Sequence, residues 1–155
     1  MSESEYVVSK QQAAKELFVA GANCAQAVLG AFQKEIGLEQ ELLMKMASGF
    51  GGGMARMREV CGAVSGMFMA ADLLKGSASF TDKEAKDAQY AFLQRLAAEF
   101  KAETGSIICR ELLGLESKGP DAPVSTPRTP SFYKKRPCAE MVALAAGILA
   151  SALEK

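Results

Sequence analysis

The stretch MARMREVCGAVSGMFMAADLLK, residues 54–75, decides the fold of this chain. Drawn as a helix, it carries apolar side chains over most of its surface, which is typical of a helix in a protein interior. Three glycines at residues 51–53 precede it, and Gly76 ends it. The stretch therefore predicts a central, buried helix against which the remaining helices pack.

Helical periodicity continues on both sides of this stretch, and glycine marks most of the helix ends. No segment alternates with period two, so we expect no strands. The predicted fold is all-α, a compact bundle of six or seven helices. The predicted helices cover residues 5–20, 24–35, 40–50, 54–75, 107–113 and 138–153, with another from Thr81 or Asp82 to Gly105.

The chain of 155 residues is long enough to bury one continuous core, and we expect a single helical domain over residues 1–155. Residues 115–136 contain four prolines and more basic than acidic side chains. Such a segment is longer than most loops in compact domains, and loops of that length tend to be functional or disordered. The sequence predicts a long basic loop here.

Charge and hydropathy exclude several classes of protein. Basic and acidic residues number 18 each, so no nucleic-acid or membrane-surface partner is expected. The longest apolar run, residues 141–153, is shorter than the roughly 20 residues that a membrane span needs. The acidic N-terminus has no apolar segment typical of a secretory signal. We therefore expect a soluble cytoplasmic protein.

The chain has no histidine, which excludes Ser-His-Asp and Cys-His catalysis and every His-ligated metal or haem site. Thiol, carboxylate, lysine, arginine and tyrosine chemistry remain. The most informative of these residues are the four cysteines, Cys24, Cys61, Cys109 and Cys138. The cytoplasm keeps thiols reduced, so we expect reactive or ligating cysteines rather than a permanent disulfide framework.

Three of the cysteines lie in the first turns of predicted helices, namely Cys24, Cys109 and Cys138. Unpaired backbone N–H groups and the helix dipole favour a thiolate there. The basic residues 134–136 should lower the pKa of Cys138 further. Cys61 is predicted to lie in mid-helix. Cys138 is therefore the predicted attacking thiol, with Cys24 or Cys109 assisting it and Cys61 as a buried partner.

Each cysteine also falls on the apolar face of its predicted helix, so all four point toward the core. Gly62, Gly66 and Ala70 follow at intervals of four and form a smooth ridge beside Cys61. Such a ridge permits another helix to approach closely, with or without chemistry at that contact. We expect at least three of the cysteines to meet at one site.

The glycines at residues 51–53, followed by Arg56 and Arg58, permit two interpretations. Their backbone N–H groups could hold an anion at a helix start. The turn lacks the Gly-Lys-Ser/Thr ending of a phosphate loop and follows no strand, so a helix-to-helix corner is favoured.

The order and flanks of the cysteines resemble the four-cysteine redox-active family labelled C_GCAxxG_C_C. The resemblance covers about residues 15–150, although Val60 stands where the label writes glycine. It implies a redox role for the four cysteines and the glycines beside Cys61, and a link to transporters through gene neighbourhood. The resemblance does not indicate a substrate. The matching elements are Cys24, Cys61-Gly62-Ala63-x-x-Gly66, Cys109 and Cys138, with flanks at residues 23–28, 50–54 and 106–110.

Three functions remain open at this level. The first is a thiol-based oxidoreductase that cycles between dithiol and disulfide with an unknown redox partner or small-molecule substrate, and that requires no cofactor. The second is a binding module whose four thiolates hold zinc, an iron–sulfur cluster or copper, although such ligands usually come in close pairs. The third is an interaction protein whose cysteines only pack. Four cysteines allow three disulfide pairings, and the sequence selects none of them.

Overall fold

The computed structural model describes residues 4–115 and 119–155. In those residues the secondary structure is helical, and the one β-type pairing is an isolated antiparallel bridge between Val60 and Ile108. The all-α prediction is therefore confirmed. None of the helices in this part of the chain is long and apolar enough to cross a membrane.

The described residues form nine helices, more than the predicted six or seven because two short helices, α3 and α8, were not separately predicted. They are α1 (Glu5–Val19), α2 (Cys24–Ala31), α3 (Gln33–Ile36), α4 (Gln40–Ala47), α5 (Gly62–Lys75), α6 (Lys83–Thr104), α7 (Cys109–Leu112), α8 (Pro130–Lys135) and α9 (Cys138–Leu153).

The core lies between α1, α2, α5 and α9. Helix α1 packs along α9 and α2, and α5 packs between α2 and α9. Fully buried side chains such as Phe32, Met67 and Leu149 fill this space. The amphipathic helix α6 covers α5 and α9 through Leu96 and Phe100. Helix α5 thus belongs to the centre of the bundle, as its apolar composition predicts.

The start of the central helix was predicted wrongly, because residues 54–61 are not helical. Met54, Ala55, Arg56 and Arg58 have φ between +51° and +67°. The chain turns left-handed there, and the turn closes through backbone hydrogen bonds from Ala55 N to Gly49 O (2.7 Å) and from Glu59 N to Gly53 O (2.8 Å). Left-handed backbone costs an L-residue about 1–2 kcal/mol, so local propensity does not predict it.

Two further boundaries differ from the predictions. The helix predicted over residues 24–35 is interrupted at Phe32, whose φ of −103° and ψ of 15° separate α2 from α3. The loop predicted over residues 115–136 contains α8, which begins with Pro130 at its first position and is capped by the Thr129 side chain. Residues 116–118 of that loop lie outside the described residues.

Candidate functional site

Every cysteine of the chain lies at the start of a helix. Cys24, Cys109 and Cys138 are the first residues of α2, α7 and α9. Cys61 is the N-terminal cap of α5, so its predicted position in mid-helix is wrong. The left-handed turn over residues 52–58 is the cause, because it delays the start of α5 until Gly62.

Capping and glycine packing bring the starts of α2 and α5 together. The Asn23 side chain accepts a hydrogen bond from Gln26 N and the Gln26 side chain accepts one from Asn23 N, which fixes the first turn of α2. A Cβ atom at Gly62 would lie 3.0 Å from Cys24 Cβ, and one at Gly66 would lie 2.5 Å from Ala25 O. The glycine ridge therefore packs against the helix that begins at Cys24.

A short pairing between two loops holds Cys61 close to Cys109. Cys61 N donates to Ile107 O (2.7 Å), and Cys109 N donates to Glu59 O (2.6 Å), on either side of the isolated bridge. Gly53 packs tightly against Cys109, since a Cβ atom at Gly53 would lie only 2.6 Å from Cys109 Cβ. The left-handed turn is thus packed directly against the start of α7.

All four cysteines line one cavity of about 380 Å³. Its wall also contains the glycine turn at residues 51–53 and apolar side chains such as Phe18 and Met141. The other notable wall residues are four arginines, Arg56, Arg58, Arg128 and Arg136.

Cys24 and Cys138 lie together in the cavity wall, and a side-chain hydrogen bond between the two thiols is the largest influence on the pKa of each. This contact lowers the pKa of Cys138 to about 7; burial opposes the shift, and the charges of Arg136, Arg128 and Arg58 support it. The same contact holds the pKa of Cys24 well above its usual range, and burial adds to that effect. Cys138 is therefore the thiol of this pair that ionises first, while Cys24 stays protonated.

Cys61 has the opposite character, because it is only 6% exposed. Burial raises the pKa of Cys61 to about 12, although hydrogen bonds from the backbone of Ala63 and Val64 favour the thiolate. A position at a helix start therefore does not by itself produce a reactive thiol.

Arg58 carries a positive charge into the wall beside Cys109. Its side chain is 3% exposed, and its Nη1 lies 3.6 Å from Cys109 Sγ as a hydrogen-bond donor. Nε donates to Asp121 Oδ2 (2.9 Å), and Nη2 forms an ion pair with the same oxygen at 2.7 Å. Burial alone would lower the pKa of Arg58, but the contacts with Cys109 and Asp121 raise it, so the guanidinium keeps its charge.

The proline-containing segment, residues 119–136, forms part of the cavity wall and is anchored by two arginines. Near its start, Arg56 donates to Ala122 O (2.9 Å) and to Thr126 Oγ1 (2.8 Å). Further along, Arg128 donates to Phe18 O (2.9 Å) and Ala22 O (3.0 Å) at the C-terminal end of α1. A positive charge is favourable at that end of a helix. These contacts fix the segment over the site.

The metal-binding alternative finds no support in the geometry of the described residues. Within residues 4–115 and 119–155, no three His, Cys, Asp or Glu side chains gather closely enough to hold a metal ion. Within those residues the four cysteines share a cavity, but no three of them form a close ligand group.

Sequence reasoning missed the role of Arg58, Asp121 and Arg128 in building the site. Arg58 falls within the predicted central helix, yet it is buried in a turn and paired with Asp121, 63 positions away. No local pattern marks that partnership. The pair Thr129-Pro130 was a usable signal, since a capping threonine followed by proline predicts a helix start and would have located α8.

The fold and the site define a class of small helical protein in which four cysteines at helix starts surround one cavity. The chain belongs to the family described as putative redox-active protein (C_GCAxxG_C_C), whose family model matches residues 22–152. Neither a search of curated proteins nor a search of solved structures found a match.

Proposed function

We propose that this protein is a thiol–disulfide oxidoreductase whose reacting pair is Cys138 and Cys24. The observation that carries the proposal is that both thiols line one cavity, where their interaction lowers the pKa of Cys138 and raises that of Cys24. An attacking thiol is most effective when its pKa lies near ambient pH, which is the case for Cys138.

The reaction begins with attack of the Cys138 thiolate on one sulfur of a disulfide substrate. The substrate S–S bond breaks, a mixed disulfide forms at Cys138, and the first thiol leaves. Cys24 then attacks the Cys138 sulfur, releases the second thiol and leaves a Cys24–Cys138 disulfide. Two electrons pass from the cysteine pair to the substrate, and the two released thiolates take up the two protons that the cysteines lose.

The state of Cys138 controls Cys24 in this scheme. The hydrogen bond to Cys138 and the charge on that sulfur both raise the pKa of Cys24. Formation of the mixed disulfide removes the negative charge, so the pKa of Cys24 falls when the resolving thiolate is needed. We place the cycle in the cytoplasm, where reductants would restore the dithiol.

Cys109 and Cys61 are not the first pair to oxidise in this proposal. The two residues lie diagonally across the Val60–Ile108 bridge, where Cβ atoms are typically about 7 Å apart. A disulfide requires Cβ atoms roughly 3.5–4.5 Å apart. The high pKa of Cys61 also removes it as a nucleophile near neutral pH.

The test is to oxidise the reduced chain briefly with diamide, block the remaining thiols and map the disulfides by mass spectrometry. We expect a Cys24–Cys138 bridge first, both in the wild type and in a Cys61→Ala control. Cys24→Ala should remove this bridge. Earlier formation of a bridge through Cys61 or Cys109 would contradict the proposal, and so would a stoichiometric metal that protects all four thiols.

A further inference from the structure

The cavity around the proposed reacting pair is positively charged. Its wall contains the four arginines and, among the described residues, no carboxylate or lysine. Asp121 pairs with Arg56 and Arg58, but it is not part of the wall. The wall therefore keeps a net positive charge even when Cys138 is ionised, and an enclosed site of one sign concentrates ligands of the opposite sign.

Arg136 is the arginine that the protein leaves available for a ligand. The guanidinium groups of the other three are held by hydrogen bonds within the protein, from Arg56 to Ala122, from Arg58 to Asp121 and from Arg128 to Phe18. The Arg136 side chain makes no hydrogen bond or ion pair with any residue in the described ranges. It lies over the Phe132 ring, 5.7 Å from the ring centroid, two positions before Cys138.

The glycine turn offers further donors to the same cavity. The backbone of residues 51–53 lines the wall, and Gly52 and Gly53 have φ of +67° and +71°. Among the backbone hydrogen bonds of the described residues, none has its N–H donor at these three positions. Successive free amides in a turn of this kind favour an anion.

We infer that the substrate is a small anionic disulfide, whose negative groups pair with Arg136 and the free amides of residues 51–53 while Cys138 attacks its S–S bond. The inference rests on the proposed function, since it names the disulfide that accepts the two electrons of the cysteine pair. The substrate leaves as two anionic thiols. The cavity of about 380 Å³ lies in the range of about 300–1,000 Å³ that small-molecule sites occupy, and its volume favours a small substrate.

The test compares three disulfides of similar size and different charge on the reduced full-length chain. They are dithiodipropionate (a dianion), hydroxyethyl disulfide (neutral) and cystamine (a dication). The rate of disulfide formation at Cys138 is followed by quenching and mass spectrometry, and each rate is divided by the rate of the same disulfide with a free model thiol. This ratio removes the intrinsic reactivity of each reagent.

We expect the normalised rate to be highest for the dianion and lowest for the dication, with the preference falling as salt shortens the Debye length from about 10 Å at 0.1 M to about 3 Å at 1 M. Arg136→Gln should reduce the preference for the dianion over the neutral disulfide about tenfold, the equivalent of one strong charge-assisted contact. A change in the pKa of Cys138 affects all three rates alike, so the preference reports recognition of charge.

Lys134→Gln is the matched control, because it also removes one positive charge. Lys134 lies two positions before Arg136, but it is exposed and is not part of the cavity wall. It should leave the preference unchanged. Equal normalised rates for the three disulfides would overturn the anion inference and leave the proposed function intact. Equal losses of the preference for the dianion in Arg136→Gln and Lys134→Gln would also overturn the anion inference. Failure of Cys138 to react with any of the three would overturn the proposed function itself.

Discussion

The hydrogen bond from Cys24 to Cys138 can be tested by removing only its donor. Cys24→Ala deletes the thiol, whereas Cys24→Ser keeps a donor at the same position and still prevents a disulfide. A hydrogen bond to a charged group contributes about 1.5–3 kcal/mol. Since one pKa unit corresponds to about 1.36 kcal/mol, Cys24→Ala should raise the pKa of Cys138 by about one to two units from its value of about 7.

The direction of the pH effect follows from the thiolate. Below the pKa the reactive form is protonated, so the alkylation rate of Cys138 rises with pH and levels off above the pKa. In Cys24→Ala the midpoint of this rise should move from about pH 7 to about pH 8–9, and the plateau should be higher because nucleophilicity increases with pKa. In Cys24→Ser the midpoint should stay near 7.

The assay is iodoacetamide labelling of the reduced variants across pH, with the Cys138 peptide quantified by mass spectrometry. The midpoint is a better measure than the rate at pH 7, where the loss of thiolate is partly offset by higher nucleophilicity. Equal midpoints in Cys24→Ala and Cys24→Ser would refute the role of the hydrogen bond. The arginine charges would then be the dominant cause of the low pKa.

Two further predictions concern the contrast between the cysteines and the packing of the glycine turn. With pKa values of about 7 and about 12, Cys138 should be about half ionised at pH 7 and Cys61 only about one part in 10⁵. The higher intrinsic nucleophilicity of the Cys61 thiolate offsets this difference by a factor of only about 10². Cys138 should therefore be alkylated at least about a hundredfold faster than Cys61, and comparable alkylation rates at the two sites would contradict this. Gly53→Ala should lower the free energy of unfolding in urea by about 1–3 kcal/mol more than Gly37→Ala, because both glycines have positive φ but only Gly53 would place a Cβ against Cys109. Equal losses would show that the contact with Cys109 can relax.

The helix starts at Cys24 and Cys138 could be predicted because their causes are local. Asn23 caps one helix, and proline is tolerated where the other begins. The start of α5 could not be predicted in this way. Met54, Ala55 and Arg56 form a good helical pattern in sequence, and they adopt positive φ because the turn is packed against the start of α7.

The cavity wall was harder to predict than the cysteines. Arginine is mostly exposed in proteins, so nothing near Arg58 in sequence indicates that it is buried with Cys109 and Asp121. That contact depends on the path of residues 119–136 over the site, which is set by Arg56 and Arg128. Composition predicts that this segment is long and basic, but its path across the bundle depends on tertiary contacts that no local pattern predicts.

The wide spacing of the cysteines follows from the way in which the site is built. Structural metal sites and Cys-x-x-Cys redox motifs usually supply their sulfurs in close pairs. Here each cysteine comes from the start of a different helix, so the gaps are the lengths of helices and their connections. All four lie within one residue of a helix start, yet the pKa of Cys138 is about 7 and that of Cys61 is about 12. Helix starts therefore bring the thiols together, and a donor at Cys24, nearby arginines and depth of burial decide which of them reacts.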